Sequence, residues 1–158
     1  MEPNYHRFEE ERAAQERLTR RHGDERYHSL NQEVGDAPYL SASPLECVGY
    51  VVEALQHDQG PRWMEKPATD QDLDDALMLL TRAREELDRQ ELELIDHARL
   101  RGRTWNQVGQ STGYGDRRAT EQRYRRLRER TPGYVPLSAD EAAAKTGVTV
   151  PDTTWGDL

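Results

Sequence analysis

Only 26 of the 158 residues are leucine, isoleucine, valine or phenylalanine, and among them stand one isoleucine and one phenylalanine. Sheets are built on branched and aromatic side chains, so this chain has little from which to make one, and its sixteen leucines must serve helices instead. The same scarcity, with a mean hydropathy of −1.05, limits the chain to a modest core. The expected fold class is therefore all-α, a helical bundle with flexible termini.

Apolar spacing places the helices. Residues 5 to 22 form a charged candidate whose apolar content is Phe8, Ala13, Ala14 and Leu18. From Asp24 to Ser41 turn formers mix without a period, which reads as a linker. Pro44 opens the most apolar segment, where Leu45, Val48, Val51, Val52 and Leu55 recur at helical spacing through His57. The stretch 59–68 interrupts it and carries Trp63 and Met64 between two prolines, a loop anchor or a docking strip. Thr69 begins the next helix, with Asp70 and Asp72 favoured in its first turn by the helix dipole and Leu73, Leu77, Leu80 and Leu87 as its stripe. Arg84 and Glu91 would place charges on that stripe, so a break near Asp88 is expected. There Asp88 and Glu91 cap a new helix that buries Leu92, Leu94, Ile95 and Ala98 and stops at Gly102. Thr131-Pro132-Gly133 closes the last strong helix; Ser138 with Glu141 caps a short one before a polar tail holding Trp155. Four regions result: a charged arm and linker (1–40), an apolar helix and connector for dimerisation or docking (41–68), a compact helical domain (69–131) and a tail (132–158).

Charge is as uneven as hydropathy. Between Arg99 and Arg130 lie ten arginines and three acids, in a chain whose formal net charge is −8. A segment this basic inside an acidic chain is built for a polyanion. It also carries local signals for two short helices joined by a tight turn. Thr104 can cap the first, whose apolar face is Trp105, Val108 and Gly109; Gly113 ends it by entering the left-handed region, and Gly109 leaves room for the second helix to cross. Asp116 can cap that second helix, which presents Arg118, Glu121, Gln122 and Arg125 on one face and Ala119, Tyr124 and Leu127 on the other. This is the plan of a helix-turn-helix in the C-terminal half of the bundle.

From Leu73 to Arg130, through ARLRG, TWNQVGQSTGYG and RRATEQRYRRL, the chain resembles small actinobacterial-type helix-turn-helix proteins, related in plan to the promoter-reading region 4 of sigma factors. That family has an acid or alanine where Asn106 and Gln107 stand, and a leucine where Thr112 stands, so the departures fall on the core. Thr112 for leucine removes burial worth about 1.5–3 kcal/mol. The resemblance implies double-stranded DNA as partner but no target sequence. Arg118, Gln122 and Arg125 are the candidates for base edges, arginine to guanine and glutamine to adenine, with Gln122 the leading one. Arg117, Glu121, Arg126 and Arg128 lie on the same helix, and Arg103, Thr104 and Gln107 at the start of the first motif helix would hold phosphate.

Chemistry is not expected. Gly109-Gln-Ser-Thr-Gly113 matches a nucleophile-elbow string, but a helix rather than a strand precedes it. Asp70, Asp72 and Asp74 imitate a calcium loop, yet Asp75 and Thr81 occupy the positions that need glycine and glutamate. His6, His22, His28, His57 and His97 have no metal-binding spacing, and Cys47 alone forms no internal disulfide. The expectation is a non-enzyme without metal or cofactor, cytoplasmic and nucleoid-associated, with no membrane span and no secretory signal. It would act as a transcriptional regulator or chromosome-associated factor, as a homodimer through the helix at Pro44–His57. The competing expectation is an adaptor whose acidic N-terminal region binds a sigma factor or RNA polymerase.

Overall fold

The computed structural model describes residues 5–35, 37–56 and 66–136. Among them are six α-helices and no strand: α1 (Tyr5–His22), α2 (Glu25–Val34), α3 (Pro44–Gln56), α4 (Asp70–Leu100), α5 (Trp105–Thr112) and α6 (Arg117–Arg130). The protein is all-α. Trp63 and Met64, the cap at Ser138 and Glu141, and Trp155 lie outside the described residues. The chain divides into two compact units, 1–86 and 87–158, with the division falling inside α4.

In the first unit Ala14 and Leu18 of α1, Ala42, Cys47 and Val51 of α3 and its approach, and Ala76 and Leu79 of α4 close one core. Phe8, expected to join the apolar face of α1, is exposed, and Glu11 is buried in its place. That carboxylate is tolerated because Arg7 donates to it at 3.1 Å and Arg82 at 2.9 Å. Two helices start on reciprocal caps. Glu46 N–H donates to Ser43 Oγ at 3.3 Å and Ser43 N–H to Glu46 Oε2 at 3.0 Å, just before Pro44 sets the first turn of α3. Thr69 and Asp72 exchange the same pair of bonds at 2.8 and 3.2 Å ahead of α4.

Three expectations for this part of the chain are corrected. The linker over 24–41 contains helix α2, begun by Asp24, whose side chain accepts from Arg26 N–H. It buries no residue, which is why no apolar period marks it. Tyr27 donates to Glu46 at 2.8 Å and Asn31 exchanges two bonds with the backbone of Leu40, so polar contacts one turn apart hold it. The inward face of α4 is Asp72, Asp75, Ala76, Leu79 and Ala83; of the expected leucine stripe Leu73 packs against this core, whereas Leu77 and Leu87 are exposed. Buried aspartates can sit inside because Arg17 grips Asp75 with bonds of 2.9 and 2.7 Å, and His22 Nε2 lies 3.0 Å from Asp72. Lastly, α4 does not break near Asp88. It is one helix to Leu100, so from Thr69 onward two helices, α4 and α5, rather than three precede the turn glycine Gly113. Arg84 lies in solvent, and Asp88 and Glu91 face arginines of α6, so the charges that argued for a break never enter a core.

The second unit is built on Leu92 and Ile95 of α4, Trp105 and Val108 of α5, and Tyr124 and Leu127 of α6, with Ala98 and Tyr134 packed against them. Trp105 and Tyr124 meet with ring centroids 5.4 Å apart and planes at 59°, a tilted pair suited to their quadrupoles. At its centre Asp96, fully buried, accepts from the Tyr124 hydroxyl at 2.6 Å on one oxygen and from the Tyr134 hydroxyl on the other. Burial outweighs both phenol bonds and raises the Asp96 pKa. The segment after α6 is thus tied back into the unit.

Candidate nucleic-acid interface

The start of α5 is a capping box. Thr104 Oγ1 accepts from Gln107 N–H at 3.2 Å, and Gln107 Oε1 accepts from Thr104 N–H at 2.8 Å. Trp105, Val108 and Gly109 are buried, as their spacing predicts. The helix ends at Gly113, whose φ of 76° and ψ of 12° are left-handed and which a Cβ would strain. Its N–H and that of Tyr114 both turn back onto the Gly109 carbonyl. Gly109 is required for a second reason: a Cβ there would collide with the Gly115 carbonyl oxygen and with Thr120 Oγ1. The turn and the first coil of α6 therefore pass directly over α5.

Thr112 is exposed and its hydroxyl donates to the Val108 carbonyl at 2.9 Å. Its position holds no core, so the expected loss of burial there does not occur.

Asp116 caps α6 by accepting from Ala119 N–H at 2.9 Å. The inward face is Thr120, Tyr124 and Leu127; Ala119, expected inside, is only partly covered. Opposite them Arg118, Gln122 and Arg125 are exposed, joined by Arg126 and Glu129 on the same side of the helix. None of Arg118, Arg125 and Arg126 has an acidic partner among the described residues.

The remaining expected contacts are distributed around this face. Arg117 is exposed but ion-paired with Glu121 at 2.7 Å, and Glu121 is partly buried by that pairing. Arg128 is exposed, with its guanidinium carbon 6.0 Å from the Tyr124 ring. Arg103, Thr104 and Gln107 are all exposed at the start of α5. There Arg99 donates to the Arg103 carbonyl at 2.7 Å while stacking 4.7 Å over Trp105. Burial lowers the pKa of Arg99. It braces the α4–α5 corner.

Two pairings escape the sequence. Arg123 turns toward α4 and donates to both oxygens of Glu91, at 3.1 and 2.9 Å, while the Tyr114 hydroxyl reaches the same carboxylate at 2.5 Å. Arg130 meets Asp88 at 3.0 Å. Burial pushes the Glu91 carboxyl up, but Arg123 and Tyr114 outweigh it and hold its pKa below the usual range. The hydrogen bond to Glu91 raises that of Arg123. The signal was the spacing of Asp88 and Glu91 on one face of a continuous α4, which a helix break at Asp88 conceals.

No family model, curated protein or solved structure matches the chain. What α5, the turn and α6 can do therefore rests on their own residues. Among the described residues no group of histidine, cysteine, aspartate or glutamate could hold a metal, and no helix is long and apolar enough to cross a membrane.

Proposed function

We propose that the chain is a sequence-reading DNA-binding protein, a transcriptional regulator or chromosome-associated factor of the nucleoid. In it α5, the turn 113–116 and α6 act as a helix-turn-helix of the plan used by the promoter-reading end of sigma factors. The observation that carries this reading is the division of α6. Thr120, Tyr124 and Leu127 anchor one face, while Arg118, Gln122 and Arg125 stand exposed on the other, the two arginines unneutralised among the described residues. A helix of 14 residues so presented fits a major groove, where arginine can bridge guanine O6 and N7 and glutamine adenine N6 and N7. Arg101, Arg103, Arg126 and Arg128, all exposed, flank it as phosphate contacts. No chemistry is proposed.

One short reading helix gives limited affinity, so two copies bound to half-sites about 34 Å apart are proposed. Val52 and Leu55 of α3, which remain exposed, are the proposed dimer contact.

Fluorescence anisotropy with a labelled random-sequence duplex of roughly three helical turns tests the reading. Wild type is expected to bind with log K falling linearly in log[salt]. Six exposed arginines of the second unit have no acidic partner among the described residues, and these give a slope of about −5 per chain. Arg118→Ala/Gln122→Ala/Arg125→Ala is expected to bind random duplex more weakly and to lose discrimination among sequences. Absence of binding by wild type at low salt would refute the proposal and favour a protein partner.

A further inference from the structure

We infer that Asp88 and Glu91 act as a built-in substitute for DNA phosphate, holding Arg123 and Arg130 away from the duplex so that α6 offers fewer cations than it carries. This deepens the DNA-binding reading above and rests on it. On α6 the residues Arg123, Arg126 and Arg130 recur three and four apart, one row running beside the reading face. A recognition helix lying in a groove brings such a flank toward the sugar-phosphate strand. Of the row, Arg126 alone is without an acidic partner among the described residues.

The manner of holding matters. Arg123 grips Glu91 through Nε and Nη2, at 3.1 and 2.9 Å, the two-pronged geometry in which a guanidinium also grips phosphate. Tyr114 fixes the same carboxylate from the turn, and the Arg123 guanidinium lies 5.3 Å from the Tyr114 ring. The side chains of Arg123 and Glu91 keep only 33% and 18% of their exposure, so this pair is less screened than a surface ion pair. Asp88, one turn earlier on α4, takes Arg130 at 3.0 Å. A phosphate would have to displace a carboxylate already in place. The loss falls on sequence-independent affinity and leaves Arg118, Gln122 and Arg125 untouched, so discrimination between sites rises.

The test measures salt dependence of duplex binding by the full chain, for wild type, Glu91→Gln/Asp88→Asn and Arg123→Gln/Arg130→Gln, with helicity checked by circular dichroism. The acid-to-amide variant is expected to bind more tightly, its slope steeper by about 0.9 for each arginine released. The arginine variant is expected to keep the wild-type slope, because neither arginine touches DNA. If that variant's slope is instead shallower by about 0.9 per residue, these arginines already reach phosphate and the inference is overturned, whether or not the acid-to-amide protein folds. An unchanged slope in folded Glu91→Gln/Asp88→Asn overturns it too. Wild type without salt-dependent binding removes the DNA reading and this inference together, a pattern unlike either of the others.

Discussion

Glycine to alanine is the same change at positions 49 and 109, each inside a helix, and the two are expected to move stability in opposite directions. Alanine in a helix interior gains about 0.5–1 kcal/mol over glycine by restricting the unfolded chain. At Gly49 of α3 an added Cβ meets nothing within 4 Å, so that gain should appear in full. At Gly109 the Cβ would strike the Gly115 carbonyl oxygen, which belongs to the backbone of a constrained turn, and Thr120 Oγ1, which is buried and donates to the Asp116 carbonyl at 2.8 Å. Overpacking of this kind costs about 1–3 kcal/mol. Displacing the threonine hydroxyl adds about 1 kcal/mol. After the alanine gain is subtracted, Gly109→Ala should destabilise its unit by about 1–3 kcal/mol, and each kilocalorie corresponds to roughly 4–8 °C in a unit of this size. Thermal and urea unfolding by circular dichroism give the magnitude. Amide hydrogen exchange in α5 and α6 assigns it to the second unit. A Gly109→Ala protein as stable as wild type would refute the close approach of the turn to α5, and a Gly49→Ala protein that loses stability would refute the open surroundings of that glycine.

Asp96→Asn tests the buried carboxylate. Its folded pKa is raised, so between the unfolded aspartate value of about 3.9 and the higher folded value the native state holds the extra proton, and wild-type stability relative to the variant should fall as pH rises through that window. Urea midpoints of both proteins from acid to neutral pH check this, and a wild-type stability that rises relative to the variant with pH would refute it. Thr104→Ala should cost about 1 kcal/mol, from loss of the capping box, with exchange protection lowered first in α5. Thr112→Leu should change the unfolding free energy, from urea titration, by less than about 0.5 kcal/mol because the site is open to solvent; a gain of about 1.5 kcal/mol or more would show a core that the exposed side chain contradicts.

Features decided within one turn were readable from the chain. Thr104, Gly113 and Asp116 act as caps because a cap needs only its nearest neighbours, and the inward residues 105, 108 and 109 follow from helical spacing. What escaped depends on partners far along the chain. The inward face of α4 escapes a reading by size because leucine suggests burial, whereas Asp72 and Asp75 sit inside with the help of Arg17, Arg21 and His22 on α1. Helix α2 escaped because polar contacts to Glu46 and Leu40 hold it. In the candidate interface, exposure of Arg118, Gln122 and Arg125 was legible from the wheel of α6. That Arg123 on the same helix is withdrawn was not, since Glu91 lies 32 residues away.

The bond from Tyr134 to Asp96 makes the unit that must fold longer than the unit that would read DNA. Chain ending at Thr131 retains every residue of α6, yet it leaves a buried carboxylate with one phenol instead of two and uncovers the core beside it. During synthesis α6 can coil as it emerges, but its underside is completed only when the tyrosine four residues past the helix arrives. A peptide cut at the helix boundary would therefore be a poor stand-in for the reading element, and whatever pulls on the residues beyond Tyr134 pulls directly on the floor beneath α6.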